Sequence, residues 1–259
     1  MTRGKAIINL LNLSGEEKIT AILPVRVFEE GKYVVLATKK GVIKKTDLMS
    51  YSHPRAGGII ALNLDPGDGL ISACLTDGTK EFLLSSREGK AIRFLEEDVR
   101  AMGRASRGVK GITLGKDDFL VSMDILSPGA IGSSILSVTE NGFGKRSPVE
   151  DYRLQSRGGK GIITVKTTAR NGKLVGTQQI TDQDEVMLIT DKGKIIRLRC
   201  SEIRLSSRNT QGVKLIELES GERVMAVARL AEREEEPTGA EAEEVPEESE
   251  AGAVAEEEP

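Results

Sequence analysis

Ile135-Leu136-Ser137-Val138-Thr139-Glu140-Asn141-Gly142-Phe143-Gly144-Lys145-Arg146 reads as a strand, a tight turn and a second strand. An apolar run is followed by turn formers ending in glycine, and then by a run that carries cations, the pattern of a β-hairpin. The same pattern occurs three more times. The turn glycines are Gly41, Gly89, Gly142 and Gly193, a period close to 51 residues. Before the other three stand Val34-Val35-Leu36-Ala37, Phe82-Leu83-Leu84 and Val186-Met187-Leu188-Ile189.

Four residues after each turn glycine sits a cation: Lys45, Arg93, Arg146 and Arg197. Side chains alternate across a strand, so a fixed offset from the turn places all four on one face of their strands, as an equivalent row. Any one alone is an ordinary strand cation. A position filled four times out of four suggests a shared role.

Beyond each hairpin lies a Gly-rich basic loop. The copies are Arg3-Gly4-Lys5-Ala6-Ile7, Arg55-Ala56-Gly57-Gly58-Ile59, Arg107-Gly108-Val109-Lys110-Gly111-Ile112, Arg157-Gly158-Gly159-Lys160-Gly161-Ile162 and Arg208-Asn209-Thr210-Gln211-Gly212-Val213. A leading Arg is common to all five, the first two copies are one residue shorter, and only the third and fourth carry Lys three places later. Glycine permits positive φ and close approach, and Arg and Lys suit phosphate oxygens. The candidate phosphate-contacting set is therefore Arg3, Lys5, Arg55, Arg107, Lys110, Arg157, Lys160 and Arg208 from the loops, with Lys45, Arg93, Arg146 and Arg197 from the strands. The neighbouring Lys44, Lys145, Arg199 and Lys214 complete it.

A period of this length, built of strands and turns, specifies an all-β, propeller-like array of small sheets. About four complete blades fit, over 17–64, 65–115, 116–166 and 171–217. One strand is left over at Val224-Met225-Ala226-Val227-Ala228, and residues 1–13 read as the last strand of a unit beginning upstream. Helix is limited to short turns near Glu96–Arg100 and Pro148–Tyr152, because Gly or Pro interrupts nearly every helical window.

The net charge of −3 hides an asymmetry: residues 231–259 hold 13 Glu and one Arg, leaving a net charge of about +9 on residues 1–230. The first segment divides off as a disordered acidic tail, because it is too poor in apolar surface to fold. A basic body of residues 1–230 points to a polyanion, for which the tail is an expected competitor. Scarce aromatics, 3% with no Trp, disfavour stacking on single strands and favour a duplex. Cys74, Cys200 and His53 have no spacing for a disulfide framework or zinc site. No Gly-x-x-x-x-Gly-Lys-Ser/Thr loop is present, and Gly108-Val109-Lys110-Gly111 imitates an RNA-clamping loop without that fold's helices. No signal peptide or membrane span is visible, so a cytoplasmic protein is expected.

Several stretches together resemble the DNA gyrase A C-terminal domain family. They are Glu17-Lys18-Ile19-Thr20-Ala21-Ile22-Leu23-Pro24, Gly89-Lys90-Ala91-Ile92-Arg93-Phe94 with Val99-Arg100-Ala101-Met102-Gly103, Asn141–Arg146, and Ser207–Val213. The resemblance implies a β-pinwheel whose blades exchange strands and whose basic rim wraps duplex DNA. In an A2B2 holoenzyme, formed with the N-terminal region of gyrase A and with gyrase B, this would support ATP-dependent negative supercoiling. The corresponding domain of topoisomerase IV is the near alternative. The family's signature loop is Gln-Arg-Arg-Gly-Gly-Lys-Gly, which Gln155-Ser156-Arg157-Gly158-Gly159-Lys160-Gly161 matches except at Ser156. Its place late in the chain makes it a box-like copy, with the first blades and the true box expected upstream. The same resemblance implies that the nucleophilic tyrosine lies elsewhere, since Tyr33, Tyr51 and Tyr152 sit within the repeats. No cofactor is expected in this chain, ATP and Mg acting elsewhere in the holoenzyme. A protein-binding propeller scaffold is the alternative from another functional class.

Overall fold

The computed structural model describes residues 17–55, 57–129 and 132–230. The candidate residues Arg3 and Lys5, the strand expected in 1–13 and the acidic tail lie outside the described residues.

Four hairpins form as the glycine spacing dictates. They are β1 (Tyr33–Thr38) with β2 (Val42–Asp47), β4 (Glu81–Ser86) with β5 (Lys90–Leu95), β8 (Ser134–Thr139) with β9 (Phe143–Pro148), and β12 (Glu185–Thr190) with β13 (Ile195–Arg199). In each turn the glycine N–H donates to the carbonyl of Thr38, Ser86, Thr139 or Thr190, and its φ lies between 79° and 81°. That left-handed backbone is open to glycine at little steric cost, which is why the turn ends there.

Each hairpin acquires an inner strand from the chain that follows it: β3 (Leu70–Thr76), β7 (Leu120–Leu126), β11 (Leu174–Ile180) and β15 (Val224–Arg229). The segment expected to be left over is therefore no orphan. It pairs with β12 through Leu188↔Val227 and completes the inside of the fourth sheet as its counterparts do in the others.

The outer strands come from further along. β6 (Val109–Lys110), β10 (Ile162–Ile163) and β14 (Val213–Lys214) pair with β2, β5 and β9. The basic loops at 107–112, 157–162 and 208–213 thus each run into a strand handed back to the preceding sheet, the exchange of strands between repeats that the resemblance implied. Three sheets have four strands. The fourth, β13-β12-β15, has three among the described residues.

Alternation along the hairpin strands puts apolar side chains on both faces, and the cores lie between successive sheets. Val35, Ile43, Phe82, Ile92 and Phe94 meet between the first and second sheets, where Phe82 and Phe94 pack edge to face at 5.9 Å. Leu83, Leu126, Ile135 and Tyr152 fill the next gap, and Leu136, Val186, Leu188 and Cys200 the last. Burial lifts the Cys74 thiol to about 12 and the Cys200 thiol to about 11, which makes both unreactive core residues at neutral pH. Among the described residues no helix is long and apolar enough to cross a membrane.

Candidate nucleic-acid interface

The equivalent row of strand cations exists, but it faces inward. Lys45 is 7% exposed and its Nζ lies 3.2 Å from the Glu96 carbonyl and 3.6 Å from the Glu96 carboxylate. Arg93 donates from Nε to Glu81 (2.6 Å) and from a terminal nitrogen to the carbonyls of Val149 and Tyr152 (3.0 Å each). Arg146 donates from Nε to the Ile203 carbonyl at 2.7 Å and also pairs with Asp182. In all three the cation reaches into the short 3₁₀ turn, or its flank, of the next repeat. Beside each, the backbone forms a parallel bridge: Lys45 with Ala101, Arg93 with Leu154, Arg146 with Leu205. Among the described residues no later repeat packs against Arg197. It pairs with Glu185 and stays exposed, as does Arg199.

The placement of Lys44 and Lys145 among DNA-contacting residues is corrected for the same reason as Lys45, Arg93 and Arg146. Both are fully buried. Lys44 donates to the carbonyls of Ala61 and Arg104, and Lys145 to those of Ser207 and Arg208. Desolvation, with Arg104 nearby, lowers Lys44 to about 8, and desolvation, with Arg208 nearby, lowers Lys145 to the same range. These five cations fasten repeats together, four of them buried and Arg93 largely so, with their donors turned to protein acceptors.

The basic loops are equivalent in a different register from the one their sequences suggest. Each exchanged strand follows a glycine of positive φ, namely Gly108, Gly161 and Gly212, and Lys110, Ile163 and Lys214 each pair with the residue after a turn glycine. Counting back, the arginine matching Arg157 and Arg208 is Arg104, and Arg107 is the counterpart of Lys160. The leading arginines form a clasp of their own. Arg104 donates to the Ile60 carbonyl (3.4 Å), Arg157 to that of Lys110 (3.2 Å) and Arg208 to that of Ile163 (2.7 Å). Backbone bonds Asn63→Ser106, Thr113→Gly159 and Lys166→Thr210 repeat the connection. In the box-like loop, Gln155 donates its backbone N–H to the Arg93 carbonyl and Gly158 its own to that of Gly111, while Ser156 and Lys160 are exposed. Gly159 lies over Ile92, and Gly161, at φ 67°, sits against the backbone of Ala91, where a side chain would clash.

The same register exposes a row that the loop pattern does not single out. Arg100, Arg153 and Arg204 each stand 11 residues after a turn glycine, directly after buried Val99, Tyr152 and Ile203. All three are exposed and their guanidinium groups have no protein partner among the described residues. Arg55, Lys110 and Lys160 are likewise exposed and unpaired, and Lys90 and Lys166 join them. Arg107 and Lys214 are exposed within weak surface pairs to Asp65 and Glu217. Arg208 is half-buried over the Tyr152 ring. The outer rim therefore presents, at each junction between repeats, a cluster of cations on a backbone fixed by bridges.

This arrangement defines a strand-exchanged, propeller-like array with a basic rim. The sequence profile described as "DNA gyrase C-terminal domain, beta-propeller" matches residues 1–26, 32–74, 80–127, 133–181 and 184–231, and the chain belongs to that family. It is 50% identical over 230 residues to the DNA gyrase A protein of Salmonella typhimurium and 48% identical to that of Escherichia coli. Each match covers 89% of this chain and 26% of the relative, so the chain spans about a quarter of their length. Among solved structures, the C-terminal domain of a DNA topoisomerase IV superposes with a TM-score of 0.82 at 28% identity, covering 88% of this chain and 70% of that one. A DNA gyrase A C-terminal domain superposes at 0.79 with 24% identity, over 89% and 76% of the two chains, a likeness of fold.

Proposed function

We propose that this chain binds duplex DNA without reading base sequence and bends it around the basic rim, as the C-terminal part of a DNA gyrase A protein. In the bacterial cytoplasm it would act with the N-terminal region of gyrase A and with gyrase B, presenting wrapped DNA to ATP- and Mg-dependent strand passage that introduces negative supercoils. The observation that carries this reading is the row Arg100, Arg153 and Arg204, one unpartnered guanidinium at each junction between repeats. Bending 20–30 base pairs by 40–90° costs about 1–6 kcal/mol, so a wrapping surface needs many phosphate contacts along an arc. A repeated junction supplies them at a regular interval, and because each arginine adjoins a bridged residue, binding has to order its side chain and little of the backbone.

The test is R100E/R153E/R204E measured against the parent by duplex affinity at several salt concentrations. Each lost phosphate contact should lower the slope of log K against log salt by about 0.9, or roughly 2.7 in all. Relaxed circular DNA, incubated with the parent and then ligated, should show a linking-number change of one sign that the variant lacks. Equal slopes and equal linking numbers for the two proteins would overturn the proposal.

A further inference from the structure

Two leucines on the rim belong neither to the cores nor to the cation clusters. Leu154 is 49% exposed and Leu205 54%, and neither enters any of the apolar clusters between sheets. A single exposed leucine is commonplace. These two occupy the same position in successive repeats, where each forms the parallel bridge to the clasping arginine of the sheet before, Leu154 to Arg93 and Leu205 to Arg146. Their backbone is therefore pinned while the side chain remains in solvent. Each directly follows one of the unpartnered arginines, Arg153 or Arg204, and the third copy of the position carries the small residue Ala101.

A short aliphatic side chain on rigid backbone, next to a free guanidinium, has the composition of a minor-groove contact on bent DNA. When duplex curves around a protein, the minor groove facing inward narrows and gains negative potential that attracts arginine. An apolar side chain at the same place can press on the sugars or lean into a base step. A protein partner would be expected to prefer an apolar patch without flanking unpaired charge, whereas here every exposed leucine of the pair sits beside an arginine. We propose that Arg153-Leu154 and Arg204-Leu205 are minor-groove contacts, with the leucine against the inner face of the bend and the arginine in the narrowed groove. The proposal rests on the duplex-wrapping reading and adds to it a preference for deformable sequence. Flexible TA and CA/TG steps, spaced to face the protein once per helical turn, should bind better than the same base composition without phasing.

The experiment compares the full chain with L154A/L205A. Ala101 shows that the fold accepts alanine at this position. Two duplexes of equal length and charge, one with phased TA steps and one without, compete for each protein. The parent should favour the phased duplex by about fivefold, the double variant by less than about twofold, at an unchanged salt slope, because no phosphate contact has been removed. A101L should widen the parent's preference. An equal preference in parent and double variant, or none in the parent, overturns the inference. So does self-association of the parent without DNA that the double variant abolishes, which would assign the leucines to a protein contact. Failure of the broader wrapping proposal looks different, since the parent would then bind neither duplex in a salt-dependent way.

Discussion

Arg93 and Arg197 stand at the same offset from their turn glycines, and each pairs with the glutamate at the equivalent place on the partner strand, Glu81 or Glu185. The sequence makes them interchangeable, but the structure does not. The side chains of Arg93 and Glu81 are 13% and 5% exposed, whereas those of Arg197 and Glu185 are 66% and 25% exposed. Replacing Arg93 by methionine keeps most of the aliphatic stem but strands the Glu81 carboxylate in a dry site and removes the donor to the carbonyls of Val149 and Tyr152. Breaking a buried pair by removing one partner costs about 3–5 kcal/mol. The same change at Arg197 removes a solvated pair worth about 0–1 kcal/mol. Urea unfolding followed by circular dichroism should separate R93M from R197M by about 3 kcal/mol, more than a hundredfold in the folding equilibrium. E81Q/R93M should recover part of the loss, because the stranded charge is gone. If R93M and R197M differ by less than about 0.5 kcal/mol, the spread expected of surface substitutions, the clasp reasoning is wrong.

Two further outcomes follow from the packing. Asp124, 5% exposed on the inner strand β7, accepts a hydrogen bond from Thr177 at 2.5 Å. Desolvation raises its carboxyl to about 6. The folded state then holds a proton that the unfolded chain releases near its ordinary value, so stability should fall as pH rises from about 4 through 6 and level off above. D124N should flatten that interval in melts taken at each pH, and an identical pH profile would refute the assignment. At the turns, a Cβ on Gly89 would lie 2.3 Å from the Val165 carbonyl just past the exchanged strand, while one on Gly193 meets nothing within 4 Å. G193A should cost only the left-handed backbone, about 1–2 kcal/mol, and G89A distinctly more because the exchanged segment is displaced as well; equal melting shifts would show that the exchange adds little.

The hairpins are legible because everything that specifies them is local: an apolar run, a glycine, a second run. Ownership of the outer strands is not. β6, β10 and β14 are two residues each, too short to carry a period, and their partners lie tens of residues upstream. The strand cations can be read as one row, because alternation fixes which residues share a face. It does not say what will cover that face, and the carbonyls that bury Lys45, Arg93 and Arg146 belong to the next repeat. The third basic loop misaligns by three residues in sequence because Arg104-Ala105-Ser106-Arg107-Gly108 offers two arginines, and Arg107-Gly108 mimics Arg157-Gly158. Counting from the turn glycine, and not from the first Arg-Gly pair, brings Arg100, Arg153 and Arg204 into line.

That register also explains why the rim is basic although five of the cations that the sequence pattern places on it are drawn into the junctions between repeats. Within a repeat, a cation three or four residues past the turn glycine is enclosed when the next repeat folds its 3₁₀ turn against it, whereas Lys90, one residue past, stays exposed; one 11 residues past stands on the segment doing the enclosing and faces water. The fourth sheet is the control supplied by the molecule itself. No later repeat covers it among the described residues, and there Arg197 is exposed and Gly193 has open space beside it. Exposed charge is thus set by the junction between repeats and not by the sheet alone. Each junction couples one buried clasp to one set of outward cations, so a substitution that loosens the clasp should also blur the spacing of the contacts outside it. If the proposed wrapping holds, stability and wrapping are linked through the same backbone bridge, and variants such as R93M should lose wrapping geometry while the number of rim charges stays the same.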